Sequence, residues 1–276
     1  MSDIKSQKTR SLLAKGLIYF SFAATIGILL WIVIYVAFRG IPNLTKNLFA
    51  WSFTTENSSM VPSIINTLEI ILISLAISVP LGIFTAIYLV EYADNSSKFV
   101  KLVRLATETL QGIPSIIYGL FGYVFFNIAL GWGYALISGA LTMSIMVLPL
   151  IIRASEEALM AVDPTYREAS FGLGARKLRT IFNVVLPSAA NGIFSGIVLA
   201  IGRVFGETAA LIFTAGTVQE LAGPTNSGAS LAIHMYLLQS EGTHVNEAYA
   251  TAVILLVFVV ILNLLSSFLE NKIKRG

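Results

Sequence analysis

Arg203 and Glu207 stand four residues apart in GRVFGETAAL (202–211), inside a run from 189 to 215 that is otherwise almost wholly apolar, glycine or small hydroxyl residues. A guanidinium is the natural partner of a tetrahedral oxyanion, because its planar fork donates two parallel hydrogen bonds. A carboxylate beside it accepts the hydrogen bond of an anion that keeps a proton and repels one that has none. If both residues belong to one helix, positions i and i+4 share a face and Glu207 reaches Arg203. The plainer alternative is an internal ion pair that only packs. Against it, apolar replacements of the same volume pack as well or better. The remaining polar candidates carry less. Glu69 falls near the end of an apolar stretch, and His234 and His244 lie ten residues apart with no second pair of metal ligands nearby. No GxxxxGK[ST] phosphate-binding loop occurs.

The elements that hold these residues follow from composition. The chain has 276 residues, of which 56% are hydrophobic and 12% charged, with a mean hydropathy of +0.80. A soluble domain carries about 25% charged residues, so this chain lacks the polar surface to be wetted all round. With no cysteine, disulfides, thiol catalysis and Cys-ligated zinc are excluded. A membrane-spanning helix needs about 20 apolar residues, and six segments qualify: 16–38, 63–92, 113–130, 135–152, 188–214 and 250–268. Pro80 with Gly82 is expected to kink the second, and Pro114 suits the first turn of the third. The first span follows four basic residues but has too long an apolar core for a cleaved leader, and reads as an anchor. Gly192, Gly196, Gly202 and Gly206 form two small-xxx-small pairs suited to close helix packing.

Lys and Arg mark the cytoplasmic side. With the N-terminus inside, fifteen of the 18 basic residues fall on inner segments and two, Arg39 and Lys46, on outer ones; the last is Arg203. The net charge of +3 is therefore a topology signal, and no nucleic-acid partner is expected. The division is a cytoplasmic tail at 1–15, a membrane domain at 16–268 embedded in lipid, and a cytoplasmic tail at 269–276. Within the membrane domain lie an inner loop at 153–187 and an outer loop at 215–249. An arginine held in a membrane interior usually faces a watery path, so Arg203 is expected to touch a passing anion. Trp31, Trp51 and Trp132 read as interface anchors, Asn127 and Asn263 as interhelical hydrogen-bonders, and 230–239 as a short outer helix.

The inner loop is longer than a tight connection needs. It reads as a helix beginning after Pro164, a break at Gly172 and Gly174, and a second helix from Ala175 to Val185 that ends at Pro187. Its Glu168-Ala169-Ser170, Gly174 and Val184-Val185-Leu186-Pro187 resemble the EAA loop of type I ABC-importer permeases, with Ser170 in place of Ala and Val184 in place of Ile. The resemblance implies that Glu168, Ala169 and Gly174 couple the chain to an ATP-hydrolysing subunit. With GIPSIIYGLFGYVFF (112–126), LTMSIMVLPLIIRASEEAL (141–159) and GRVFGETAALIFTAG (202–216), the chain resembles the phosphate permeases of the Pst importer, on the PstA side of the pair rather than the PstC side. Ala210 stands where the pattern has proline, which weakens the expectation of a helix break there.

That resemblance implies an all-α integral membrane protein with the MetI-like architecture of six transmembrane helices, forming half of a phosphate path in the plasma membrane. It implies a PstC-type second permease, two PstB-type subunits that bind ATP-Mg, and an external PstS-type phosphate-binding protein. No cofactor is expected in this chain, which is not itself an enzyme. Phosphate near neutral pH keeps a proton and sulfate keeps none, so Glu207 is expected to favour the former. The rival readings are a permease for molybdate, sulfate or phosphonate, a secondary anion transporter, and an integral membrane enzyme.

Overall fold

Long apolar stretches with few breakers leave the backbone one way to satisfy its own polar groups in lipid, and every regular element described is helical. The computed structural model describes residues 2–94, 96–242 and 244–273, with side chains from 14 to 268. The side chains of Lys5, Lys8, Arg10 and Lys272, and all of Lys274 and Arg275, therefore lie outside the described residues. Five helices are long and apolar enough to cross a membrane, and a sixth crossing comes from a sharply bent pair.

Among its described side chains, the first helix, α1 (Ser2–Gly40), is largely exposed until it packs near Gly40. There Gly40 lies against Tyr249 and Val253, and the Tyr35 and Tyr249 rings meet edge to face at 6.0 Å. The centre of the bundle is the crossing of α2 (Val61–Ile87) with α5 (Leu136–Met160). Buried hydroxyls stitch it: Ser74 Oγ donates to the Ala140 carbonyl at 2.9 Å and Ser144 Oγ to the Ser74 carbonyl at 3.1 Å. Pro80 sits inside α2, and Gly82 lies against Ile151 of α5. Beyond Ile87 the helix widens into a π turn that ends at Tyr92.

The third crossing is not the straight helix expected over 113–130. An amphipathic helix, α3 (Lys98–Gln111), meets α4 (Ser115–Gly122) at 102°, and a π-helical turn extends α4 to Ala129. Gly112, Ile113 and Pro114 make the bend, with Pro114 capping α4. Ser115 to Ala129 rises only about 22 Å at ~1.5 Å per residue, short of a hydrocarbon core of about 30 Å. The upper part of α3 completes the crossing: Gln111 Nε2 donates to the Pro149 carbonyl at 3.0 Å, halfway along α5.

The inner loop forms α6 (Pro164–Gly172), capped by Asp163, whose carboxylate accepts from the Thr165 N–H at 2.9 Å. A turn at Gly174 leads into α7 (Lys177–Thr180). The second helix of the loop does not end at Pro187. A π turn at Ile181–Val185 carries it straight into α8 (Leu186–Phe205). Proline removes one N–H and crowds the carbonyl four residues back, and widening the helix by one residue accommodates both.

The fifth crossing breaks despite Ala210. α8 ends at Phe205 and a short α9 (Ala209–Thr214) follows three residues later. Gly192 and Gly196 pack on Ala158 and Ala154 of α5 as expected, but Gly202 meets nothing within 4 Å and Gly206 only the Gly202 carbonyl at 3.6 Å. The second glycine pair is therefore not a packing face: Gly202 opens space and Gly206 caps α8.

Outside, α10 (Leu231–Glu241) precedes the last crossing, α11 (Val245–Ile273). Asn66 of α2 holds the outer segment down, donating to the Glu220 and Ala229 carbonyls at 2.9 and 3.2 Å and accepting from the Ala222 N–H at 3.1 Å. Asn127 donates to the Phe213 and Thr214 carbonyls across helices, whereas Asn263 donates to the Val259 carbonyl within its own helix, α11. Trp31, Trp51 and Trp132 are all exposed.

Candidate functional site

Arg203 occupies the last turn of α8, where unsatisfied carbonyls give the helix end partial negative charge and favour a cation. Its side chain lines a cleft of about 650 Å³ between α5, α8 and α11, together with Leu150, Ser195, Gly202, Asn263 and Ser266. Leu150 lies about 21 Å along the α5 axis from Leu136 at ~1.5 Å per residue, which puts the cleft at mid-depth. The guanidinium is thus beside an open space and is not sealed among helices. On α4, the Tyr118 hydroxyl donates to the Leu110 carbonyl of α3 at 2.8 Å. That bond braces the α3–α4 bend.

Glu207 does not sit on a helical face with Arg203, because the helix stops between them. Among the described residues the two form no ion pair. The Glu207 carboxylate turns instead to the next helix and accepts from the Ala210 N–H at 3.2 Å. One break therefore holds both charges: the cation at the C-terminal end of α8 and the anion at the N-terminal end of α9. Each has the sign its helix end prefers.

On the loop at 153–187, Glu168 and Ala169 are exposed on α6 and Gly174 follows it in the turn. Gly174 has φ +82°, and a Cβ there would meet nothing within 4 Å, so glycine is required by backbone conformation and not by space. The apex is apolar: Leu173 is 90% exposed, and Phe171, Leu178 and Tyr166 are exposed around it. Ser170, at the position where the EAA pattern has alanine, bonds the Thr180 hydroxyl at 2.9 Å and fastens α6 to α7.

The sequence reading missed the residue that anchors this loop. Arg167 Nε donates to Glu91 at 2.9 Å, Nη1 to the Val162 carbonyl and Nη2 to the Leu159 carbonyl, each at 2.9 Å. It thereby joins α6 to the π turn that follows α2, to the end of α5 at Leu159 and to the Val162 carbonyl just beyond it. Glu91 and Arg167 keep only 8% and 18% of their side chains exposed. The available signal was a lone carboxylate closing a span on the basic, inner side, with an arginine directly before the loop motif.

Comparison with known proteins fits this geometry. Residues 78–275 match the family model described as binding-protein-dependent transport system inner membrane component. The chain is 32% identical over 293 residues to the probable ABC transporter permease protein YqgI of Bacillus subtilis (strain 168), covering 97% of each chain. It is 30% identical over 276 residues to the phosphate transport system permease protein PstA of Haemophilus influenzae, covering 96% of each. Among solved structures it shares its fold with a chain of the inward-facing MetNI methionine ABC transporter. That match has a TM-score of 0.61 and 18% identity, and covers 77% of this chain and 93% of that one. A bacterial alginate ABC transporter gives a TM-score of 0.64 at 17% identity, covering 92% and 95%.

Proposed function

The chain belongs to the binding-protein-dependent transport system inner membrane components, and from that premise we propose that it is the PstA-type permease of an ATP-driven phosphate importer. It forms half of the path, and a PstC-type permease forms the other half. Two PstB-type subunits bind ATP-Mg beneath the loop at Glu168, Ala169 and Gly174, and a PstS-type protein delivers phosphate from outside. Both termini are cytoplasmic, in keeping with the basic inner segments. Two PstA relatives of 30–31% identity over most of the chain support phosphate as the cargo.

The observation that carries this reading is Arg203 beside an open cleft at mid-depth. Lipid-facing arginine costs about 2.5–3.5 kcal/mol on insertion scales, and a helix end offsets only about 1 kcal/mol of that. A charge retained at net cost has a use, and the use that suits a guanidinium in a permease is transient binding of an anion. Glu207 tempers the grip and discriminates by protonation.

The test is Arg203→Ala in the reconstituted complex. Uptake of labelled phosphate is expected to fall at least a hundredfold while the partners still co-purify and bind nucleotide. Loss of assembly instead would return Arg203 to a packing role. Competition by sulfate, molybdate and phosphonate on the wild-type complex decides the cargo, since the rival oxyanion readings expect one of them to outcompete phosphate.

A further inference from the structure

The helix that walls the Arg203 cleft carries a second guanidinium further in. Leu150 lines the cleft. Arg153 and Glu157 follow it at i+3 and i+7, on the same side of α5. They line a separate cavity of about 300 Å³ at the inner end of that helix, shared with Arg104, Glu108 and Glu156. Moving inward from the cleft along α5, Arg153 is the next cation, about 4.5 Å of rise beyond Leu150.

The two arginines of this cavity are held differently. Arg104 grips Glu156 through Nε and Nη2, both at 2.8 Å, and Glu156 is only 12% exposed; the pair is a strut from α3 to α5. Arg153 touches Glu157 on its own helix through Nε alone, at 3.0 Å, with 52% and 62% of the two side chains exposed. Water screens such a pair and it contributes little. A tetrahedral oxyanion can take the place of the Glu157 carboxylate and gain the second arm of the fork.

We infer that Arg153 is a second anion-binding station on the cytoplasmic half of the path, with Glu157 as its built-in competitor. The station rests on the phosphate-permease reading above. Its lining carries three carboxylates against two guanidiniums, so an anion that reaches it is held briefly. Transit requires sites attractive enough to accept an ion and weak enough to lose it. The cleft at Arg203 is largely apolar apart from its hydroxyls, amide and guanidinium, and retains the anion; the wetter inner cavity lets it go.

The absence of cysteine gives a direct test. Arg153→Cys, assembled with cysteine-free partner subunits in proteoliposomes, is treated with 2-aminoethyl methanethiosulfonate, which adds a cation, or 2-sulfonatoethyl methanethiosulfonate, which adds an anion of similar size. Arg153→Cys is expected to slow labelled phosphate uptake about tenfold. The cationic reagent is expected to restore at least half the wild-type rate and the anionic reagent to depress it further, with assembly scored by co-purification of the partners. A purely structural arginine acts through its pair with Glu157, so adding Glu157→Gln would abolish the difference between the two reagents, whereas a station keeps it. Loss of that difference in the Arg153→Cys/Glu157→Gln double variant, or uptake at the wild-type rate in untreated Arg153→Cys, overturns the station. If the wild-type complex moves no phosphate, the permease reading has failed and the station falls with it.

Discussion

Arg203 and Glu207 show how far residue type and spacing can be trusted. Their presence in an apolar run singled out two charges that the structure places at one helix break, but the four-residue spacing suggested one helical face, and that geometry is absent. Gly206 reads in sequence as half of a packing pair and acts in the structure as the cap where α8 stops. Separating the charges has a chemical consequence, because among the described residues the guanidinium is not neutralised by an ion pair with Glu207. It also makes Glu207→Gln a clean probe. The glutamine Oε1 can still accept from the Ala210 N–H, so the cap survives while the charge goes. Phosphate uptake is expected to continue, and its preference over sulfate to drop about tenfold in competition assays. An unchanged preference would leave Glu207 with capping alone.

The helices themselves were largely legible as apolar runs of bilayer length, and their interruptions were not. A span can be read from hydropathy because lipid imposes one requirement on every residue in it. A 102° bend, a helix break with alanine where proline was looked for, and a π turn that passes Pro187 depend on local donors and neighbours that hydropathy does not record. The loop anchor was invisible for a related reason: Glu91 and Arg167 are 76 residues apart in sequence. Their pair is buried enough for its loss to be felt. Arg167→Ala leaves a carboxylate unpaired and strips donors from the Leu159 and Val162 carbonyls, at a cost of about 3 kcal/mol. Adding Glu91→Gln removes the stranded charge and is expected to return about 1–2 kcal/mol of it. Unfolding of the purified single and double variants in detergent measures both, and strictly additive losses would deny the pairing.

The whole molecule divides into a polar cap at 215–249, an apolar bundle and a basic loop at 153–187, a division already legible in the distribution of Lys and Arg. The packing inside the cap was beyond sequence, since His234 reads there as one of two unremarkable histidines. It is buried, with Nδ1 2.9 Å from the Gln219 amide oxygen and its ring edge-on to Phe53. Burial, opposed by the Ser58 backbone, pushes its pKa down to about 4 from an ordinary 6.5. The neutral ring is therefore the one the fold accepts. Its contribution, about 3 kcal/mol, is complete above pH 6.5 and drains away as the pH falls to about 4. The thermal midpoint of the wild-type chain is expected to decline across that window, and His234→Gln to flatten the decline. A variant curve parallel to the wild type would remove His234 from the acid response.

The bend between α3 and α4 has a mechanical consequence. Its two arms meet nearly at right angles, braced by Gln111 on Pro149 and by Tyr118 on Leu110. The lower arm is bolted to the end of α5 through Arg104, and the upper arm packs against α9, where Gly119 lies on Ala210. Such a part is a bell crank: displacing one arm turns the other about the corner at Gly112–Pro114, with no helix stretched or slid along its length.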